Sequence, residues 1–251
     1  MLAGHLAYGQ VELAKRYTWQ HAPPASSPTP PAEGAAEALG AAVKARDLAG
    51  VRAALSAGKG RPRFVEEAGR TLLRCGLEAA GPLAHRFTLA EAARRLAAQL
   101  DPAGSAAALE AAALSIAHGY PGARAVAGLR DLPQPRPGST DYAGRLLVGV
   151  TANRRPEAHA ALRGFFEVGT SPRQVALAFI ASAGHFDTND LHTDHPFMVL
   201  QAAWRAVSDG FFASDALPLF VELANRLCEA EMDHELIQQV EESLDHARDT
   251  A

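Results

Sequence analysis

The sequence predicts an all-α protein in which one multi-helix unit occurs twice, forming a helical bundle or a short solenoid. Three observations predict it. Apolar residues recur at three- and four-residue spacing between proline-rich breaks, alternating strand patterns are nearly absent, and a stretch around residue 85 matches one around residue 195. The 251 residues are 48% hydrophobic and 21% charged, a balance that excludes a disordered or fibrous chain and suffices for a packed core.

Taken in order, residues 1–20 read as a partial repeat helix. Residues 21–33, with Pro23, Pro24, Pro28, Pro30 and Pro31, read as a linker that cuts this helix off from the rest of the chain. The first helical unit spans 34–130, with helices expected at 36–46, 48–57, 63–76, 84–99 and 104–118. Val65, Ala68, Leu72 and Leu73 mark the buried face of the third. A second break at 131–139 holds Pro133, Pro135 and Pro137. The second unit, 140–251, is expected to place helices at 140–152, 156–167, 172–184, 195–208 and 214–229, and an amphipathic helix near 233–248. The best strand candidate, Leu146 to Val150, fits a buried helix equally well.

The duplication rests on His85, Phe87, Ala92, Ala93 and Arg95, which match His195, Phe197, Ala202, Ala203 and Arg205 at an offset of 110. The same offset joins Pro62 and Arg63 to Pro172 and Arg173, and Val65 to Val175. Ala53, Ala54 and Leu55 match Ala160, Ala161 and Leu162 at 107, so a three-residue loop difference is expected between the units. His5, which opens the N-terminal helix, suggests a third, incomplete copy.

One segment stands out chemically. Residues 185–195 hold His185, Asp187, Asp190, His192, Asp194 and His195. Imidazoles and carboxylates gathered where a loop meets a helix start suit a first-row metal: non-haem Fe, Mn, Zn or Ni. The expected ligands are His185, His192 and His195, with Asp187 or Asp190 as the carboxylate. Pro196 suits the first helical position, which would make His195 the N-cap, and the positive helix end would keep its ring neutral for ligation. His5, His85, His118 and Phe197 are expected to line a pocket. At the offset of 110, His185 pairs with Cys75 and His118 with Cys228. If the units pack about a pseudo-twofold axis, His85 and His195 approach it together. The bland reading of the same residues is capping: aspartates at helix starts usually bond to backbone N–H groups.

Other signals are weaker or negative. Cys75 and Cys228 are too few for a disulfide framework and read as small buried hydrophobes, while His21, His159 and His246 read as surface residues. Glu231 and His234 form a lone Glu-x-x-His, whereas a di-iron carboxylate site needs two. No nucleotide-binding glycine motif and no Gly-x-Ser-x-Gly elbow occurs. A net charge of -4 argues against a nucleic-acid surface, and no long apolar run predicts a membrane span. A cytoplasmic setting is the expectation from the cysteine count and the absence of a leader pattern.

The repeated His-x-Phe helix start, preceded by a helix and a histidine-containing loop, resembles the all-helical questin-oxidase-like proteins and the related helical regions beside Rieske modules. The likeness covers residues 40–230. It implies a place for His85, His195 and His185 in a histidine-lined pocket, and oxidative chemistry on an aromatic or polyketide-like small molecule. The chain departs from the Rieske-linked members, since two cysteines cannot supply that cluster's ligand pairs. A non-haem metal oxidoreductase is therefore the expected function; a metal-free helical-repeat protein that binds a partner or small molecule is the alternative.

Overall fold

A computed structural model describes residues 30–61, 63–79, 83–118, 120, 128–183, 194–212 and 216–229. Ten α-helices and no strand occur among them. They are α1 Ala35–Ala45, α2 Leu48–Gly58, α3 Phe64–Glu78, α4 Leu83–Ala97, α5 Pro102–His118, α6 Tyr142–Thr151, α7 Arg155–Glu167, α8 Pro172–Ala183, α9 Asp194–Ser208 and α10 Leu217–Glu229. The chain divides into two compact units, with the boundary between Ala125 and Val126. The expected helix at 233–248, the partial repeat at 1–20 and most of the first linker lie outside the described residues.

In the first unit α1 packs on α2, α3 and α5, α2 packs on α5, and α4 packs on both α3 and α5. In the second, α6 packs on α7, α8 and α10, α7 packs on α10, and α9 packs on both α8 and α10. Six pairings recur helix for helix; the first unit adds a packing of α3 on α5 for which the second has no match of comparable extent. The duplication visible in the sequence is thus a duplication of packing.

Local chemistry explains where the helices stop and start. Between α1 and α2 the chain turns through Arg46 in the left-handed region (φ 58°), where its N–H and that of Asp47 reach back to Val43 and Ala42 carbonyls at 3.1 and 2.9 Å. Between α6 and α7 the same turn occurs at Asn153 (φ 51°), with N–H groups of Asn153 and Arg154 on Val150 and Gly149 at 3.4 and 2.7 Å. Every atom pair in this turn recurs at the offset of 107. Asp47 caps α2 through Gly50 N–H at 2.9 Å, and Asp141 caps α6 through Gly144 N–H at 2.8 Å. Ser171 and Gln174 form a reciprocal capping box before α8, with Pro172 in its first turn.

The core of each unit is a layer of Leu, Val, Phe and Ala. Leu39, Val51, Leu72, Phe87 and Leu109 are buried in the first, and Leu146, Leu162, Phe179, Phe220 and Leu223 in the second. Phe179 stacks on Phe220 at 5.6 Å with nearly parallel rings. Where α6 crosses α7 the backbones approach so closely that a Cβ on Gly149 would lie 2.5 Å from the Ala158 nitrogen. The second proline-rich break is not a free linker: Leu132 is buried, and its carbonyl accepts from Arg163 at 2.8 Å.

Burial also corrects the placement of the length difference. Along α8 the buried positions Val175, Ala176, Phe179 and Ser182 fall opposite Ala68, Gly69, Leu72 and Cys75 of α3, all buried, at an offset of 107. The Val65 to Val175 match at 110 pairs a half-buried residue with a buried one and is coincidental. In the fourth helices 110 holds: Leu89, Ala90, Ala92, Ala93 and Ala97 face the core as do Val199, Leu200, Ala202, Ala203 and Val207. The three extra residues therefore lie between α8 and α9, in the histidine- and aspartate-rich connection.

Candidate functional site

His185, His192, Asp187, Asp190 and His5 lie outside the described residues, so the fold does not bear on their roles. His195 is the second residue of α9 and His85 the third of α4, so both sit in the first turn of the fourth helix of their unit. This corrects the expectation that His195 is an N-cap: α9 already begins at Asp194. Pro196 then occupies the third helical position, which it tolerates because the first four N–H groups of a helix have no partner inside it. Both histidines thus fall in the first turn of the fourth helix of their unit.

His118 is the last residue of α5, and Phe197 is half-buried on α9 while its counterpart Phe87 is fully buried. With the third helices in register at 107, Cys75 stands opposite Ser182, not opposite His185. Among the described residues no group of three His, Cys, Asp or Glu side chains is placed to hold a metal ion.

Both cysteines are buried and neither forms a disulfide, as their residue type suggested. The Cys75 thiol points at the Gly40 carbonyl at 4.0 Å and the Cys228 thiol donates to the Gly149 carbonyl at 3.5 Å. Burial pushes the Cys75 thiol up to about 11, outweighing the opposite pull of Lys44. A thiol so shifted is neither a nucleophile nor a ready metal ligand at neutral pH.

Around Cys75 lies a polar cluster that the sequence did not announce. Lys44, near the end of α1, pairs with Glu78, the last residue of α3, at 2.5 Å. The hydrogen bond to Glu78 holds the Lys44 ammonium above its usual range, against the desolvation that lowers it. Tyr120 is buried beside them; burial and the Glu78 carboxylate both raise its phenol, whose oxygen meets no partner at bonding geometry. Arg46 donates to the Tyr120 carbonyl at 2.8 Å, tying the chain that leaves α5 to the turn after α1. The cluster closes one end of the unit with cancelling charges. No spacing rule joins residues 44, 75, 78 and 120, so only the fold reveals it.

Two further polar features were missed. Glu91, 2% exposed, accepts two hydrogen bonds from Arg94 at 2.8 Å each, a bidentate pair inside the first unit. His159 is half-buried and not a surface residue: its Nε2 lies 2.9 Å from Asn225 Oδ1, linking α7 to α10. Desolvation holds its pKa below the usual histidine value, reinforced by Arg155 and opposed by the Asn225 bond and Glu222. Its surface assignment failed because an alanine-rich helix gives no clear polar face.

On the surface, Val168, Leu177 and Ile180 of the second unit are 63%, 49% and 39% exposed. Their counterparts at the offset of 107 are Arg61, Arg70 and the fully buried Leu73. Arg173, one turn before Leu177, lies over the Trp204 ring at 5.3 Å. No helix among the described residues is long and apolar enough to cross a membrane. No family model, curated protein or solved structure matches the chain.

Proposed function

We propose that the chain is a metal-dependent oxidoreductase whose duplicated helical scaffold presents one non-haem metal from the connection between α8 and α9. The observation that carries this reading is the register shift. Packing is largely repeated from unit to unit, and the connection across which the register shifts from 107 to 110 is the one rich in imidazole and carboxylate groups. Scaffold-borne loops are where binding chemistry concentrates. The donor set fits Fe, Mn, Zn or Ni: His185, His192 and His195 would supply nitrogens, and Asp187 or Asp190 an oxygen. His195 lies in the first turn of α9, next to that connection. Bound there, such a metal would supply redox or Lewis-acid chemistry on a small molecule. The likeness to questin-oxidase-like proteins suggests an aromatic or polyketide-like substrate, with His85, His118, His5 and Phe197 as pocket candidates.

Elemental analysis of untagged protein tests this reading. Near-stoichiometric Fe, Mn, Zn or Ni is expected, falling below a tenth in the His185→Ala, His195→Ala double variant. Metal content that is negligible, or unchanged by the double substitution, removes the proposal. A second reading, a metal-free interaction platform, is favoured by exposed Leu177 and Ile180, whose counterparts in the first unit are charged or buried.

A further inference from the structure

The outer face of α8 and α9 carries different chemistry from its counterpart on α3 and α4. In the first unit that face closes on itself: Glu66 pairs with Arg70 at 3.4 Å, Arg94 holds Glu91 by two bonds of 2.8 Å, and Leu73 is fully buried. Arg94 lies across α3 so closely that a Cβ on Gly69 would press on its Cγ. At the offsets of 107 and 110, the second unit has Arg173 for Glu66, Leu177 for Arg70, Ile180 for Leu73, Gln201 for Glu91 and Trp204 for Arg94. Only Arg173 is charged among these five. Leu177 and Ile180 are exposed, and Arg173 lies over the half-buried Trp204 ring at 5.3 Å. Because Arg173 opens α8 and Trp204 lies toward the end of α9, the two helices run antiparallel. The face is one stripe about two turns long, cationic at one end and apolar along the rest.

We infer that residues 233–248 of the same chain cover this stripe as an acidic amphipathic helix. At helical spacing Ile237, Val240, Leu244 and Ala247 fall on one line, and Glu241 flanks it. Charge agrees with shape. Residues 233–248 include five acidic side chains and one arginine, whereas α8 has Arg173 and no carboxylate. The segment follows α10 within the second unit, so the chain holds it near the face at an effective concentration on the order of millimolar, which a free partner must match in solution. A helix over 233–248 is about 24 Å long, more than the stripe requires. Removing Leu177 and Ile180 from water drives the docking, and Arg173 sets its register.

Leu177→Cys in the full chain tests the inference, since the two native thiols are buried and the new one stands mid-stripe. Maleimide labelling there is expected to be at least about fivefold slower than in the same protein carrying Val240→Asp and Leu244→Asp, and independent of protein concentration. Adding Arg173→Glu to Leu177→Cys should speed labelling about two- to fivefold, and a further Glu241→Arg should slow it again. Where the aspartate variant does not fold, this charge series decides, and the absence of any acceleration overturns the inference. A thiol labelled equally fast with and without the aspartates also overturns it, leaving the stripe to a foreign partner. Slow labelling that is lost on dilution does the same, assigning the stripe to a second copy of the chain. No metal enters these readouts, so they stand or fall apart from the oxidoreductase reading.

Discussion

The two units share their buried registers and differ in nearly everything polar. The turn after the first helix recurs atom for atom, yet Arg46 fills its left-handed position in one unit and Asn153 in the other. The second helix is capped by Asp47 in the first unit, while its counterpart Arg154 caps nothing; the first helix is capped by Asp141 in the second unit, while Gly34 has no side chain to offer. Glu66 and Arg70 form an exposed ion pair on α3 at 3.4 Å, where α8 has Arg173 and Leu177. The lesson is energetic. Buried apolar positions each contribute kilocalories and must stay in register, whereas caps and surface pairs contribute about 1 kcal/mol or less and can be exchanged without altering the fold.

That contrast can be broken hardest at the close crossing of the second unit. Gly149→Val should cost on the order of 3 kcal/mol or more, since its Cβ would press on the Ala158 backbone. The loss should be confined to the second unit, as read by hydrogen exchange; equal destabilisation of both units would show that they do not fold as separate bodies. Next in size, Leu72→Ala and Phe179→Ala should each cost about 2–5 kcal/mol in chemical denaturation, because both are fully buried at matching positions of the third helices. A cost below about 1 kcal/mol at either residue would dissolve the register of 107. Smallest, Arg154→Asp should stabilise by about 1 kcal/mol, installing the cap that Asp47 already provides in the first unit and forming a capping box with Glu157. The exposed Arg154 to Glu157 contact at 3.9 Å that it sacrifices is weak.

The sequence carried the scaffold well and the polar chemistry poorly. All ten described helices lie within a few residues of their expected spans, because periodicity, Asp47, Asp141, Ser171 and the proline breaks each act locally. The His-x-Phe start falls in the first turn of the fourth helix of both units, whose later buried positions match at 110. The Val65 to Val175 match misled, since small and β-branched residues recur by composition alone in alanine-rich helices and only burial separates 107 from 110. Lys44, Glu78 and Tyr120 meet through three helix ends, and His159 reaches Asn225 across 66 positions of chain; neither encounter has a local signature. The metal candidates stand out in the sequence by their density alone. Their side chains lie outside those the structure describes.

Cys75 and Cys228 sit one to each half, sealed from solvent at 1% and 2% exposure. A maleimide or aromatic disulfide reagent can reach either sulfur only when the surrounding helices part, so the two labelling rates act as independent clocks for opening of each half. Single Cys75→Ala and Cys228→Ala proteins would each leave one clock running, with no foreign probe introduced.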